Sequence, residues 1–233
     1  MFSKEHVSRK GTPPWFLIER PSVRLYNPYY RLVKRTIDLM LCLILAPFAA
    51  FAAIFVGIAI RLDSEGPIFF IQERIGKGAK PFKIVKFRTL AHNLDTSGHE
   101  KYMADFINGT KKPQNGVFNP VSDSQVTRIG RILRKTSLDE LPQLINVYLG
   151  DMSFVGPRPN VTWEVEKYRG WHQERLEVLP GITGLAQVRG RSGIIFDEIV
   201  EYDIEYIAKQ GLLLDLKIMW WTIKSVLAGK GTN

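Results

Sequence analysis

A run of 22 consecutive residues without a charge constrains this chain more than any other feature. It extends from Leu39 to Ile60 and reads LMLCLILAPFAAFAAIFVGIAI. As a continuous α-helix it would reach roughly 33 Å, close to the roughly 30 Å thickness of the hydrocarbon core of a bilayer. The first interpretation is therefore a single helix that crosses a membrane.

Two features of this run favour a bent segment over a spanning one. Pro47 lies inside it, and a proline removes a backbone donor and clashes with the preceding turn, which predicts a break or kink. Three basic residues lie between Arg31 and Arg35, and Arg61 directly follows the run, so no charge asymmetry assigns its ends to opposite faces. We therefore expect residues 31–62 to form a re-entrant helix-break-helix unit, with Pro47 as the membrane break.

The composition of the whole chain excludes several classes of protein. Of 233 residues, 45% are hydrophobic, which is enough for a sizeable core. Lysine and arginine number 32 against 23 acidic residues, and the net charge of +9 predicts an anionic partner such as a phosphorylated small molecule or a membrane surface. One cysteine and four scattered histidines exclude a disulfide framework and a structural zinc site. No RNP, zinc-finger or helix-turn-helix signature is present, so we expect no nucleic-acid partner.

The apolar run divides the chain into three parts. Residues 1–30 mix charges, prolines and aromatic residues, and we expect either an interfacial segment or a mobile tail. Residues 63–233 alternate short strand-like runs with helical patterns, and the runs 68–74 and 82–87 predict a β-hairpin. The predicted fold class is α+β: a membrane segment packed on a small, mainly helical domain with one short hairpin.

The region 127–143, TRIGRILRKTSLDELPQ, brings cations and carboxylates together. Three arginines recur at every third residue and share one face of a helix: Arg128, Arg131 and Arg134. This stripe has two interpretations. It is either a charged face turned to solvent or lipid headgroups, or a phosphate-binding face that leads to Asp139 and Glu140.

Asp139 and Glu140 have a structural and a chemical interpretation. Ser137 and Glu140 fit a capping box, in which the serine caps a helix and the glutamate reaches back to it. Pro142 would then fall where a backbone donor is already needed. With Asp139 as the cap, Pro142 would lie in the tolerant first turn, and Asp139 would be ionised at a helix N-terminus near three arginines. An ionised carboxylate in that position can attack phosphorus.

Four motifs occur in succession along the chain: KRTIDLMLCLILAP, RLDSEGPIFFIQERIGKGAKPFKIVKFRTL, SLDELPQLINVYLGDMSFVGPRP and LPGITGLAQVRGRS. In this order they resemble the bacterial sugar transferases known as monotopic phosphoglycosyl transferases, over about Tyr30 to Leu227. The resemblance implies a re-entrant helix in the bacterial inner membrane. It also implies that residues 63–233 are a catalytic domain on the cytoplasmic face.

The resemblance further implies a reaction. A phospho-sugar passes from a UDP-sugar to polyprenyl phosphate, usually undecaprenyl phosphate, and UMP is released with Mg²⁺ as cofactor in the first membrane step of glycoconjugate assembly. Asp139 is implied as the nucleophile that forms a covalent phosphosugar intermediate and as the protein ligand of the metal, and Glu140 is its paired carboxylate. Membrane lipids are expected partners, a homo-oligomer is left open, and neither the sugar nor the pathway is indicated.

Further candidate ligands lie both within these motifs and outside them. Arg158, between two prolines, offers a fixed guanidinium to a phosphate or a uracil carbonyl, or else belongs to a rigid surface turn. Gly181 and Gly184 allow close backbone approach, which favours diphosphate or sugar binding over an ordinary turn. The candidate residues for binding the phosphates or the UDP-sugar are Arg88, Arg131, Arg134, Arg158, Gln187, Arg191 and Asp203.

Two further assignments have open alternatives. Arg88 is directed at a phosphate or at lipid headgroups, and Asp203 belongs to the site or to a solvated helix face. For the protein as a whole, a membrane-anchored basic module that binds anionic lipid or a protein partner, without catalysis, would also explain the charge and the apolar run. Such a module would not require the pair of Asp139 and Glu140.

Overall fold

The computed structural model describes residues 27–91, 97–110, 125–190 and 194–228. Within these ranges the α-helices are α1 (Pro28–Asp63), α2 (Ser97–Ile107), α3 (Arg128–Thr136), α4 (Leu144–Leu149), α5 (Thr162–Val165), α6 (Leu185–Arg189), α7 (Phe196–Lys209) and α8 (Leu212–Leu227). The strands are β1 (Phe69–Ile75), β2 (Pro81–Phe87), β3 (Ser153–Val155) and β4 (Gly181–Thr183). Short 3₁₀ helices cover Lys77–Ala79, Leu138–Gln143 and Gly170–Glu177. The predicted α+β class with mainly helical content is confirmed.

The predicted hairpin is present. β1 and β2 pair antiparallel, with Phe69 opposite Phe87 and Ile75 opposite Pro81. Gly78 in their connection has φ of 66°, a conformation that glycine adopts without strain. The sequence did not indicate a second sheet, in which β3 and β4 pair in parallel, because strands of three residues are too short to show alternation.

The membrane segment differs from its prediction. α1 is one helix of 36 residues that continues through Pro47, so the predicted break is not observed as an interruption of the helix. A proline removes its own donor and bends a helix, while the neighbouring residues keep theirs. The helix begins at Pro28, three positions before the predicted start at 31, and Asn27 caps it by accepting from the backbone of Tyr29 and Tyr30. Residues 1–26 lie outside the described residues.

Both ends of α1 contact the same globular body. Near its start, Lys34 Nζ lies 2.7 Å from Asp215 Oδ2 of α8. At its end, Asp63 Oδ2 accepts from the backbone N–H of Ile129 in α3 at 2.9 Å. Between these anchors, one side of the helix packs on the domain and the other leaves large apolar side chains exposed, among them Met40, Leu43, Ile44, Phe48, Phe51, Ile54, Phe55, Ile58 and Leu62. Of the described helices, α1 is long and apolar enough to cross a membrane.

Two apolar clusters hold the centre of the domain against α1. Cys42 packs with residues of β2 and α4, including Ile84 and Val147. Farther along α1, Ile60 packs with Leu133 of α3 and with the end of β2. α3 and α4 are therefore fixed on α1, and the 3₁₀ helix Leu138–Gln143 lies between them in the chain.

Candidate active site

The 3₁₀ helix Leu138–Gln143 carries Asp139 and Glu140. Ser137 joins it to α3 in the left-handed conformation, with φ of 56° and ψ of 17°. This turn excludes both capping arrangements predicted from the sequence. Ser137 makes no side-chain cap bond, and Asp139 is the second residue of the 3₁₀ helix rather than its cap. The carboxylate of Glu140 points away from the turn, to two cations.

Glu140 is a buried carboxylate that holds one lysine and one arginine. Its Oε1 lies 2.8 Å from Lys86 Nζ of β2 and 3.2 Å from an Nη of Arg158, in the loop after β3. Burial alone would raise the pKa of Glu140, but the two cations outweigh it and lower the pKa to about 2. Glu140 is therefore ionised throughout the physiological pH range. It holds the two cations in place.

Asp139 has the opposite electrostatic setting. Burial and the neighbouring charge of Glu140 raise its pKa to about 6, although Lys86, Arg158 and Arg134 oppose the increase. The sequence predicted an ionised Asp139 near arginines and a helix N-terminus; the net shift of its pKa is upward because burial and Glu140 outweigh the cations. Asp139 is still ionised at neutral pH. Within the described ranges no hydrogen bond or ion pair occupies its carboxylate, which is therefore free to act as a nucleophile.

The structure brings only part of the arginine stripe to this pair. Arg134 donates from Nε to Thr89 Oγ1 at 3.1 Å, and its charge reaches Asp139. Arg128 and Arg131 are exposed on the outer side of α3. Arg88 is buried, and its guanidinium donates to the backbone carbonyls of Ser64 and Glu65, so it closes the loop after α1 and lies outside the cluster.

Arg158 enters the site, but Asp203 does not. The Arg158 side chain is 45% exposed and contacts Glu140. Asp203 is 1% exposed in the interior, and its Oδ2 lies 2.7 Å from Arg175 Nη2. The alternative of a solvated helix face is wrong for Asp203, and direct contact with a substrate is excluded by its burial. Arg191 lies outside the described residues.

Gly181 and Gly184 of the predicted glycine motif allow close packing against the chain at Gly156; they do not line an open ligand-binding site. A Cβ at Gly181 would lie 2.1 Å from the backbone nitrogen of Gly156, and one at Gly184 would lie 2.3 Å from the oxygen of Gly156. Real Cβ atoms do not approach backbone this closely, so these glycines are needed for two chain segments to pack together. They set the position of the loop that carries Arg158.

A pocket of about 150 Å³ adjoins Glu140. Its walls come from α1 at Leu45, from Ser137 and the 3₁₀ helix at Leu141, and from β4, α6 and α8. Gln187 lines it and donates from Nε2 to the Ile182 carbonyl at 3.1 Å. The Oε1 of Gln187 is buried without a hydrogen-bond partner in the described part of the chain, so it can accept from a bound group.

Sequence reasoning missed Lys86 and Asn146 as residues of the candidate site. Alternation along β2 places Lys86 on the same side as the buried Ile84, a signal that this lysine points inward. Asn146 accepts from Val85 N at 3.1 Å and donates to the Lys83 carbonyl at 2.7 Å, which fixes β2 beside Lys86. Such an amide clamp has no local sequence signature.

The family model for bacterial sugar transferases matches residues 29–229. The chain belongs to this family. A relative from Streptococcus agalactiae, galactosyl transferase CpsE, is 38% identical over 91% of this chain and 46% of its own length. The UDP-glucose:undecaprenyl-phosphate glucose-1-phosphate transferase of Caulobacter vibrioides is 38% identical over 96% of this chain and 80% of its own.

A third member of the bacterial sugar transferase family, from Aeromonas hydrophila, is a UDP-N-acetylgalactosamine-undecaprenyl-phosphate N-acetylgalactosaminephosphotransferase. It is 35% identical over 90% of this chain and 47% of its own length. The chain thus spans about half the length of the CpsE and Aeromonas relatives. The three relatives are named for different sugars, so relatedness does not select one for this protein.

The carboxylate of Asp139 suits a magnesium ion that enters the site bound to the diphosphate of a substrate. In the described part of the chain, no group of three or more His, Cys, Asp and Glu side chains is arranged to enclose a metal. Mg²⁺ commonly binds through one or two carboxylates, several waters and substrate phosphates. Asp139 offers such a carboxylate, whereas one oxygen of Glu140 is already occupied by Lys86 and Arg158.

Proposed function

We propose that this protein transfers a sugar 1-phosphate from a UDP-sugar to undecaprenyl phosphate and releases UMP. The observation that carries the proposal is the carboxylate of Asp139, without a described partner, beside the cation-bound Glu140 and close to the membrane helix. Two relatives are named for this kind of reaction. The membrane-anchored module without catalysis gives no reason for two adjacent carboxylates held in opposite electrostatic states.

The chemistry assigned to Asp139 is a double displacement. A carboxylate oxygen of Asp139 attacks the phosphorus that bears the sugar, and the bond from that phosphorus to the bridging oxygen breaks. UMP leaves with the bridging oxygen and its electron pair. A phosphate oxygen of the polyprenyl acceptor then attacks the same phosphorus, and the bond to Asp139 breaks, which regenerates the carboxylate.

The cations around Glu140 have a defined task in this reaction. Lys86 and Arg158 present positive charge beside Asp139 and would stabilise the negative charge that develops on the transferred phosphoryl group. Arg134 adds charge from the side of α3. A magnesium ion held by Asp139 and the substrate diphosphate would neutralise the leaving UMP. Glu140 fixes the two cations and stays ionised.

The membrane arrangement proposed for α1 is re-entrant. Support comes from its two ends, since Lys34 binds α8 and Asp63 binds α3 of the same domain. The exposed apolar side of α1 would enter one leaflet, with a bend at Pro47. The domain then lies on the cytoplasmic face, where UDP-sugars are made.

Labelling of single cysteines tests this topology in a Cys42→Ala background. Cysteines introduced at Ser22 and Ser124 should both be protected from an impermeant reagent in intact spheroplasts and react after lysis. External labelling at Ser22 alone would show that the helix spans the membrane. Replacement of Pro47 by leucine should favour the spanning state, because it restores the missing backbone donor.

Release of UMP by the purified protein tests the reaction. A panel of UDP-sugars should include one that gives UMP in the presence of undecaprenyl phosphate and Mg²⁺. Chelation with EDTA should abolish release, and Mg²⁺ but not Zn²⁺ should restore it. Glu201→Gln, a change at an exposed carboxylate of α7, should leave release unchanged. Lipid binding without UMP release from any sugar nucleotide would support the non-catalytic module instead.

A further inference from the structure

Arg175 is a buried guanidinium that contacts four groups from different parts of the fold. Its side chain is 2% exposed in the 3₁₀ helix Gly170–Glu177. Nη1 donates to Asn160 Oδ1 at 2.8 Å and to the Tyr168 hydroxyl at 3.1 Å. Nη2 donates to the backbone carbonyl of Arg158 at 3.0 Å and lies 2.7 Å from Asp203 Oδ2.

Asp203 supplies the negative charge for this guanidinium. The two side chains are almost equally buried, each 2% exposed. A buried charge without a counter-charge is strongly unfavourable, so Arg175 depends on Asp203 to remain in place. Burial raises the pKa of Asp203 to about 6 and Arg175 opposes the increase, which leaves the pair ionised at neutral pH.

The loop 156–160 is fixed through its backbone carbonyls. The carbonyl of Pro157 accepts from Gly181 N at 2.9 Å, and that of Asn160 accepts from Ile75 N at 2.8 Å. At Arg158, between them, the carbonyl is held by a side chain, that of Arg175. The Arg158 side chain itself is nearly half exposed, and its guanidinium lies against Glu140.

These contacts connect the buried carboxylate of Asp203, through Arg175 and Arg158, to Glu140 of the candidate site. We propose that Asp203 is a positioning residue which, through Arg175, fixes the backbone of Arg158 so that its guanidinium lies against Glu140. Asp203 then affects turnover without touching a substrate. This inference rests on the proposed function only for its kinetic consequence, because the positioning itself can be measured without a substrate.

Asp203→Asn tests the inference, since the amide keeps the size and removes the charge. It should lower kcat by about tenfold and leave KM for the UDP-sugar within about twofold, because the effect falls on placement of a transition-state cation. The matched control is Asp197→Asn. Asp197 lies in α7, as Asp203 does, and it contacts Arg169 and His172 at the start of the 3₁₀ helix Gly170–Glu177. It is not paired with Arg175 or Arg158. This control should leave kcat unchanged.

A double-mutant cycle separates positioning from general damage. In an Arg158→Ala background, Asp203→Asn should cause almost no further loss of kcat, because the side chain that it positions is gone. The same tenfold loss in both backgrounds would overturn the inference. If Asp203→Asn does not fold, Tyr168→Phe replaces it. That variant removes one acceptor from Arg175 without a change in charge, and should give a smaller loss of kcat with the same non-additivity.

Hydrogen exchange measures the positioning independently of activity. A peptide that covers residues 156–161 should exchange faster in Asp203→Asn than in the unmodified protein, and Asp197→Asn should not change it. Equal exchange in all three proteins would contradict the inference even if the enzyme is active. Faster exchange in a protein that releases no UMP would instead leave the positioning intact and remove the proposed function.

Discussion

Glu140 and Asp215 are buried carboxylates that each hold a lysine from a distant part of the chain. The Lys86–Glu140 pair is 2.8 Å long with side chains 15% and 9% exposed, and the Lys34–Asp215 pair is 2.7 Å long with side chains 17% and 8% exposed. As ion pairs the two are almost identical. Neither burial nor pairing therefore distinguishes the carboxylate of the proposed site from the one that fastens α1.

The surroundings of the two pairs differ. Asp215 also accepts from the hydroxyls of Tyr206 at 2.8 Å and Tyr30 at 3.4 Å, so both of its oxygens are occupied and the cluster fastens α1 to α7 and α8. Glu140 lines a pocket, and Asp139 is its neighbour in the chain. The Lys86–Glu140 pair thus differs from the Lys34–Asp215 pair in what lies beside it: a second carboxylate, that of Asp139, and space for a substrate.

Asp139→Asn should give the largest effect. The amide is a far weaker nucleophile, so we expect UMP release to fall by at least about a thousandfold. No ion pair is lost, so the thermal unfolding midpoint in detergent should change by less than about 2 °C. Near-normal turnover in this variant would remove Asp139 from the role of nucleophile.

A matched pair of lysine substitutions tests the comparison directly. Lys86→Met should lower kcat by roughly 10- to 100-fold, because a cation beside the reacting phosphoryl group is lost. Lys34→Met removes an equally buried lysine from the other cluster and should leave kcat within about threefold, since it is remote from Asp139. Equal losses of kcat in the two variants would mean that the clusters do not differ in function.

Asp215→Asn should have the smallest effect on turnover and a clear effect on stability. It removes the carboxylate that Lys34 pairs with and weakens the contact of Tyr206, at an expected cost of about 2 kcal/mol in the free energy of unfolding. The unfolding midpoint should fall by roughly 4–8 °C for a chain of this size, with kcat within about threefold. A large loss of kcat at an unchanged midpoint would show that this cluster also acts in the reaction.

Local patterns were sufficient for several features of the fold. The uncharged run identified α1, and two short strand-like runs identified the β1–β2 hairpin. The motif that contains Asp139 and Glu140 identified the candidate site. Each of these signals lies within a few consecutive residues, where period and turn chemistry carry information.

Asp203 shows what local patterns left unresolved. The sequence analysis counted it among the candidate substrate ligands, yet the period of α7 puts it on the side of Val200, Ile204 and Ile207, which are all buried. A carboxylate on an apolar helix side requires a buried partner, and this signal was readable from the sequence. The identity of the partner was not, because Arg175 comes from a separate element whose position depends on the complete fold.

The covalent intermediate provides the most direct test of the central claim that Asp139 attacks the sugar-bearing phosphorus. The protein should be incubated with its UDP-sugar and Mg²⁺ in the absence of undecaprenyl phosphate, quenched and analysed by peptide mass spectrometry. We predict UMP in an amount close to one equivalent of enzyme, together with a phospho-sugar mass increase on Asp139 that disappears when the lipid phosphate is added. Full turnover with the lipid acceptor present, without UMP or a modified peptide in its absence, would contradict the account and indicate direct transfer between the two substrates.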